Sequence, residues 1–153
     1  KNVTPDMIER AVGMVRSAGM QVLVYFMLGL PGETRETMKK TMDFAKKLKP
    51  DIITLGIATP HPGTKFYDFM ERCGYLTTDD WSVFDPNGAP VYNYPHLSSQ
   101  EIYDAMVKGY RSFYLRPSYV GRRLKSLKSG LDVKTNFGNF KGFMKRYVFQ
   151  RKG

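Results

Sequence analysis

Two short loops carry the residues best suited to hold a ligand. "GLPGET" spans residues 29–34 and "TPHPGT" spans residues 59–64. Glycine lets the backbone approach a bound group closely, proline stiffens a turn, and an acid such as Glu33 is favoured near a helix N-terminus. The same residues also make plain turns, in which Glu33 would only cap the following helix. The first loop matches neither the dinucleotide pattern G-x-G-x-x-G nor a P-loop.

Each loop follows an apolar stretch and precedes a helical pattern. We predict strands over residues 22–28 and 52–58, the first of them buried on both faces. A helix over residues 5–18 precedes them, Thr34 caps the helix after the first loop, and Gly74 closes the helix after the second. The predicted order is α-β-α-β-α, with Phe66, Phe69, Met70 and Cys73 on one face of the third helix.

Two parallel strands cannot cover both faces and both edges of their own sheet. We therefore predict an α/β fold in which residues 1–74 are a fragment of a larger parallel βα repeat, either a partial TIM-type barrel or a doubly wound sheet. Residues 75–153 form a basic, aromatic-rich and mostly helical extension. Its parts are an irregular segment over 76–97 and helices from Ser98 or Ser99 to about Leu115, over 119–129 and over 137–150.

Composition sets further limits on the class of protein. The chain has 153 residues, of which 42% are hydrophobic and 25% charged, as in an ordinary globular domain. Its longest apolar run is too short to span a bilayer, and no secretory leader is visible. The lone Cys73 can form neither an internal disulfide nor a multi-thiolate metal site, and it favours a reducing, cytoplasmic setting. Because the sequence opens at Lys1, a piece of a longer protein has to be considered.

Positive charge is concentrated at the C-terminal end. Residues 108–153 hold thirteen Lys and Arg against one acid, Asp132, a balance of +12 where the whole chain carries +10. Such a segment suits an anionic partner, either nucleic acid, lipid headgroups or another part of a larger protein, or it is a solvated helix face. Its Tyr and Phe residues could stack on bases, but their helical spacing is explained by packing, which we favour.

The two loops together resemble a known family. Strand-"GLPGET"-helix followed by strand-"TPHPGT"-helix is similar to the fifth and sixth units of the radical S-adenosylmethionine (SAM) barrel. The resemblance is strongest to the branch with an N-terminal cobalamin-binding domain. "DDWSVFD" and "GYRSFYLRPSYVGRRL" also look like the C-terminal extension of that branch, so the resemblance covers about residues 3–128.

The resemblance implies a cofactor-binding wall. Met27 and Leu28 would pack near the adenine of SAM, Gly29 would offer its backbone, and Glu33 would be the acid that follows the glycine turn. His61 occupies a variable position of the second motif, where a solvent-facing or structural histidine is more common than a catalytic one. No catalytic and no metal-binding residue is assigned. The full cofactor-binding set is Met27, Leu28, Gly29, Glu33, Pro60 and Gly63, with Pro62 also shaping the rim.

The chain departs from the family in one decisive respect, because the three-cysteine motif that holds the [4Fe–4S] cluster is absent. The resemblance therefore implies that SAM, the cluster and cobalamin belong to a parent enzyme, whose missing N-terminal part is this chain's partner. The isolated chain should bind none of them and be inactive. The substrate, a small molecule or a lipid, stays open. Two alternatives also stay open: a module that binds RNA or anionic lipid through residues 108–153, and an unrelated barrel or flavodoxin-like protein.

Overall fold

The computed structural model describes residues 3–85 and 88–125. The predicted order of the first five elements is confirmed, and so is a helix that starts at Ser99. The helix predicted over 119–129 is described only as far as Lys125, and the one predicted over 137–150 lies outside the described residues. The elements are α1 (Pro5–Ser17), β1 (Leu23–Leu28), α2 (Arg35–Leu48), β2 (Ile52–Ile57), α3 (Lys65–Arg72), a 3-10 turn (Trp81–Val83), α4 (Ser99–Tyr114) and α5 (Pro117–Lys125).

A threonine caps the N-terminus of each of the first three helices. The Thr4 hydroxyl accepts the N–H of Met7, and Pro5 occupies the first turn of α1, where its missing N–H costs nothing. Thr34 and Thr37 cap the start of α2 reciprocally. At the start of α3, the Thr64 hydroxyl accepts the N–H of Tyr67. The second and third caps end the two candidate loops, so they set where each loop stops.

The two strands form a parallel pair in which Leu23 lies beside Ile52 and Leu28 beside Ile57. Side chains alternate between the faces of the pair. One face packs against α1 and α2, where Val24 and Phe26 join a core that includes Val12 and Leu48. The α/β prediction, two parallel strands flanked by helices, is confirmed.

The prediction that the first strand is buried on both faces is wrong. Leu23, Tyr25 and Met27 point to the other face and are 46%, 72% and 55% exposed. Leu28, on the helix side, is completely buried. The reason is that α1 and α2 cover one face of the pair, while these three residues of the other face are left open to solvent. A continuous apolar run shows that both faces of a strand are apolar, but not that both are covered.

The segment after α3 is irregular, as predicted, yet it contributes much of the core. Isolated antiparallel bridges join Leu76 to Tyr92 and Tyr94 to Leu97. Tyr92, Tyr94 and Leu97 are buried. The prediction that Cys73 lies on the apolar face of the third helix is wrong, because α3 ends at Arg72 and Cys73 is exposed at its C-terminal cap.

The described residues divide into two compact units, one that ends at residue 106 and one that begins at residue 107. In the described part of the second, aromatic side chains pack on one another: the Tyr119 ring lies 5.0 Å from that of Tyr114 and 5.3 Å from that of Phe113. The guanidinium of Arg116 lies 4.1 Å from the Phe113 ring. The packing predicted from the helical spacing of these aromatic residues is confirmed for the described ones, and base stacking is not tested. The division proposed at residues 74 and 75 stays a prediction.

Candidate functional site

A cleft of about 360 Å³ lies at the C-terminal ends of the two strands, where the loops "GLPGET" and "TPHPGT" begin. Parallel strands bring these loops to the same edge of the sheet, the position at which βα folds bind ligands. The lining is apolar except for one hydroxyl and one cation. It consists of Met27, Leu30, Pro31, Ala58, Thr59, Lys65, Phe66 and Phe69.

The first loop is closed by its own acid. The carboxylate of Glu33 accepts the N–H of Gly29, and the Glu33 N–H donates to the Leu30 carbonyl at 3.0 Å. Both glycines adopt positive φ, +82° at Gly29 and +81° at Gly32, which favours residues without a side chain. Burial raises the pKa of Glu33, and bonds from the N–H groups of Gly29 and Leu30 oppose the rise. Capping of this loop is therefore one function of Glu33.

Two buried tyrosines hold the same loop from the other side. The Tyr92 hydroxyl lies 2.8 Å from the Gly29 carbonyl oxygen and 3.0 Å from that of Ala58. The Tyr94 hydroxyl donates to the Gly29 carbonyl at 2.8 Å. Burial raises the pKa of both phenols, and the charge of Glu33 adds to the rise. Both hydroxyls therefore stay protonated, and remain hydrogen-bond donors, throughout the physiological pH range.

Gly29 is required by this arrangement. A Cβ atom added there would lie 2.3 Å from the Tyr92 hydroxyl oxygen, far inside the contact distance of a carbon and an oxygen that are not bonded. At Gly32, where φ is nearly the same, an added Cβ would meet nothing within 4 Å. The close approach that the first glycine permits is thus made by a tyrosine of the same chain.

His96 extends the network to the surface. Its ring stacks on Tyr94, with 5.7 Å between ring centres and 19° between planes. Its Nε2 atom lies 2.8 Å from the Glu33 carbonyl oxygen. The segment that carries Tyr92, Tyr94 and His96 therefore contacts the first loop at both its beginning and its end.

Of the six residues predicted to bind the cofactor, Met27 lines the cleft. Leu28 and Pro60 are fully buried, Gly63 is exposed, and Glu33 is partly buried. Gly29 is buried, and both its N–H and its carbonyl are engaged within the chain. His61 is exposed. Contact of any of these residues with a cofactor stays a prediction.

Sequence reasoning missed Tyr92 and Tyr94. The segment "VYNYPH" contains a detectable signal, since tyrosines two positions apart in an extended segment point to the same side. The surrounding prolines and glycines concealed this signal, because they interrupt any regular spacing of apolar residues after a few positions. The wall that Phe66 and Phe69 contribute to the cleft was foreseen only as a helix face.

The chain has one cysteine, Cys73, which is exposed, whereas an iron–sulfur cluster requires several converging thiolates. Across residues 3–85 and 88–125, no three His, Cys, Asp or Glu side chains are grouped so as to hold a metal ion. Within the same ranges, no helix has both the length and the apolar character needed to cross a bilayer.

The chain is related to longer proteins with enzyme names. It is 38% identical over 117 residues to an uncharacterized methyltransferase of Pyrococcus horikoshii, an overlap that covers 76% of this chain and 25% of that protein. It is 26% identical over 156 aligned positions to an anaerobic magnesium-protoporphyrin IX monomethyl ester cyclase of Rubrivivax gelatinosus, covering 99% of this chain and 26% of the cyclase.

A cyclase of the same name from Cereibacter sphaeroides is 28% identical over 116 residues, which cover 76% of this chain and 18% of that protein. No family model matches the chain. The chain thus spans about a quarter of the length of the first two of these relatives.

Proposed function

We propose that this chain is a late portion of the βα barrel of a longer radical SAM enzyme, in which it forms one wall of the SAM pocket. The observation that carries the proposal is the bare apolar face of the strand pair, which ends in an apolar cleft between two glycine-rich loops. In a βα barrel the face opposite the helices points to the barrel interior, and ligands bind at the C-terminal ends of the strands. Leu23, Tyr25 and Met27 would then be interior residues.

The relatives support the same proposal. They are named as a methyltransferase and as cyclases, and each is several times longer than this chain. A slice of a barrel explains both the short overlap and the bare sheet face, because neighbouring strands would be contributed by the rest of the parent protein. The reaction of the parent is accordingly a methylation or a radical-mediated ring closure.

The cleft residues suit the adenine end of SAM. Phe66, Phe69 and Met27 offer flat or polarizable apolar surface of the kind that packs on an aromatic ring. When bound, SAM supplies a methyl group or, after reductive cleavage, a 5′-deoxyadenosyl radical. The part of this chain is to bind the nucleoside, orient it and exclude water from it.

The cluster and cobalamin belong to other parts of the parent. Cys73 alone cannot hold a cluster, and the cobalamin proposal is supported by the resemblance of the loop motifs and of the extension, not by any described side chain. A cytoplasmic location is part of the proposal and is supported by the lone cysteine. No contact among the described residues favours the alternative of a module for RNA or anionic lipid.

The test uses the complete gene product that contains this chain, purified without oxygen and reconstituted with iron and sulfide. We expect a [4Fe–4S] spectrum and SAM binding from the complete protein, and no stoichiometric iron on the 153-residue chain. Met27→Ala should weaken SAM binding, whereas Leu23→Ala, on the same sheet face at the other end of β1, should not. A reading frame without a three-cysteine motif, or a complete protein that binds no SAM, would overturn the proposal.

A further inference from the structure

Tyr92 joins both sides of the cleft. Its hydroxyl is shared between the carbonyl oxygens of Gly29, which follows β1, and Ala58, which follows β2. Its ring meets that of Phe66, on α3, edge to face at 5.7 Å. Ala58 and Phe66 both line the cleft, so one buried side chain ties together the ends of two strands and the helix that forms the far wall.

Tyr94 reinforces the arrangement. Its hydroxyl is the second donor to the Gly29 carbonyl, and its ring packs against Tyr92 at 5.4 Å and against Tyr75 at 5.9 Å. Tyr75 in turn meets Phe69, the other cleft phenylalanine, at 6.2 Å. A continuous chain of rings therefore connects both phenylalanines of the cleft to the carbonyl of Gly29.

We propose that Tyr92 and Tyr94 are positioning residues for the ligand of this cleft: their hydroxyls hold the Gly29 carbonyl and their rings hold the phenylalanine wall. The identity of that ligand as SAM rests on the function proposed above. The Gly29 backbone then acts as the anchor of the loop. The resemblance implied that this backbone would bind the cofactor, but its N–H and carbonyl are already hydrogen-bonded within the chain.

The two tyrosines preorganise the loop for its ligand. A binding loop that is held in its bound conformation loses less entropy when the ligand arrives, so the same contacts give tighter binding. Because glycine has no side chain, Gly29 and Gly32, which lie at positive φ here, allow the loop to adopt other conformations when it is released. Three interactions restrain its first residue here: the Glu33 carboxylate on its N–H and the two tyrosines on its carbonyl.

The test compares tyrosine-to-phenylalanine variants in the complete protein. Tyr92→Phe with Tyr94→Phe removes both donors to Gly29 and keeps both rings. Tyr75→Phe is the matched control, because its ring lies in the same cluster while its hydroxyl has no hydrogen-bond partner among the described residues. We expect the double variant to weaken SAM binding, measured by calorimetry, about tenfold, which corresponds to about 1.4 kcal/mol. The control should change it less than twofold.

A second readout follows the Gly29 carbonyl directly and requires no ligand. Labelling the 153-residue chain with ¹³C-carbonyl glycine and ¹⁵N-leucine selects two peptide bonds, Gly29–Leu30 and Gly130–Leu131. Loss of its two donors should shift the Gly29 carbonyl resonance upfield in the double variant and leave it in place in Tyr75→Phe. The Gly130 signal is the internal reference.

The outcomes separate the two proposals. If the wild-type complete protein binds no SAM, the proposed function falls, and the Gly29 resonance alone decides the positioning proposal. If wild type binds SAM and the double variant binds it equally well, or if the Gly29 resonance does not move, the positioning proposal is overturned. Should the double variant fail to fold, Tyr92→Phe and Tyr94→Phe are measured singly, each with about a threefold loss expected.

Discussion

Replacing Gly29 by alanine should destabilise the chain much more than replacing Gly32 by alanine. Both glycines have φ close to +81°, so the strain of placing an L-residue in that region is nearly equal and cancels in the comparison. What differs is the space: a methyl group at Gly29 meets the Tyr92 hydroxyl at 2.3 Å, and one at Gly32 meets nothing within 4 Å. The difference between the two variants therefore isolates the contact with Tyr92.

The size of the difference between the two variants follows from the hydrogen bonding that Tyr92 would lose. To admit a methyl group, the hydroxyl has to leave the carbonyls of Gly29 and Ala58, which share its one proton, and a buried polar group left without its partner costs about 1–3 kcal/mol. Gly29→Ala should then cost roughly 1–3 kcal/mol more than Gly32→Ala in the free energy of unfolding. Urea titration of the 153-residue chain, followed by circular dichroism, measures both values under one set of conditions.

A third variant tests the cause. In the background of Tyr92→Phe the oxygen that blocks the methyl group is gone, so the cost of Gly29→Ala should fall towards that of Gly32→Ala. Equal costs for the two single variants would refute the reasoning, and so would a Gly29→Ala cost that Tyr92→Phe leaves unchanged. If Gly29→Ala alone does not fold, recovery of a cooperative transition in the double variant supports the same conclusion.

Other predictions concern the strand pair and the start of α4. Leu28→Ala, at a completely buried position, should lower the free energy of unfolding by about 2–5 kcal/mol. Tyr25→Ser, on the same strand but 72% exposed on the bare face, should change the free energy of unfolding by less than about 0.5 kcal/mol in the isolated chain. Urea titration measures both variants, and equal effects would contradict the assignment of the faces. A hydrogen bond from the Ser98 N–H, and after it one from Arg35, lowers the pKa of Glu101 from 4.5 to about 2. The stability that the ionised Glu101 side chain adds to the fold is therefore complete above pH 4.5 and is lost as the pH falls towards 2. Thermal melts should therefore show wild type losing its advantage over Glu101→Gln across that interval, and a constant difference would contradict this.

Local signals in the sequence were sufficient for the elements that frame the cleft. Thr34 marks the start of α2 because a hydroxyl that accepts a backbone N–H needs only the next few residues. The apolar runs predicted both strands for a similar reason, since the residues that favour a β-strand are consecutive in the sequence. The position of both loops at the same edge of the sheet followed from the βαβ order, because parallel strands place their C-terminal ends together.

Only the tertiary structure decided which faces are covered and what holds the loop. Whether Tyr25 is buried depends on which elements pack over it, and a strand's own residues carry no record of a cover supplied from elsewhere in the protein. The bonds from Tyr92 and Tyr94 to Gly29 link residues 63 and 65 positions apart, through a segment with no periodic pattern. The sequence by itself determined that Gly29 begins a tight turn at the C-terminal edge of the strand pair. That its carbonyl is held by two tyrosines depended on the long-range packing of an irregular segment, which no local preference encodes.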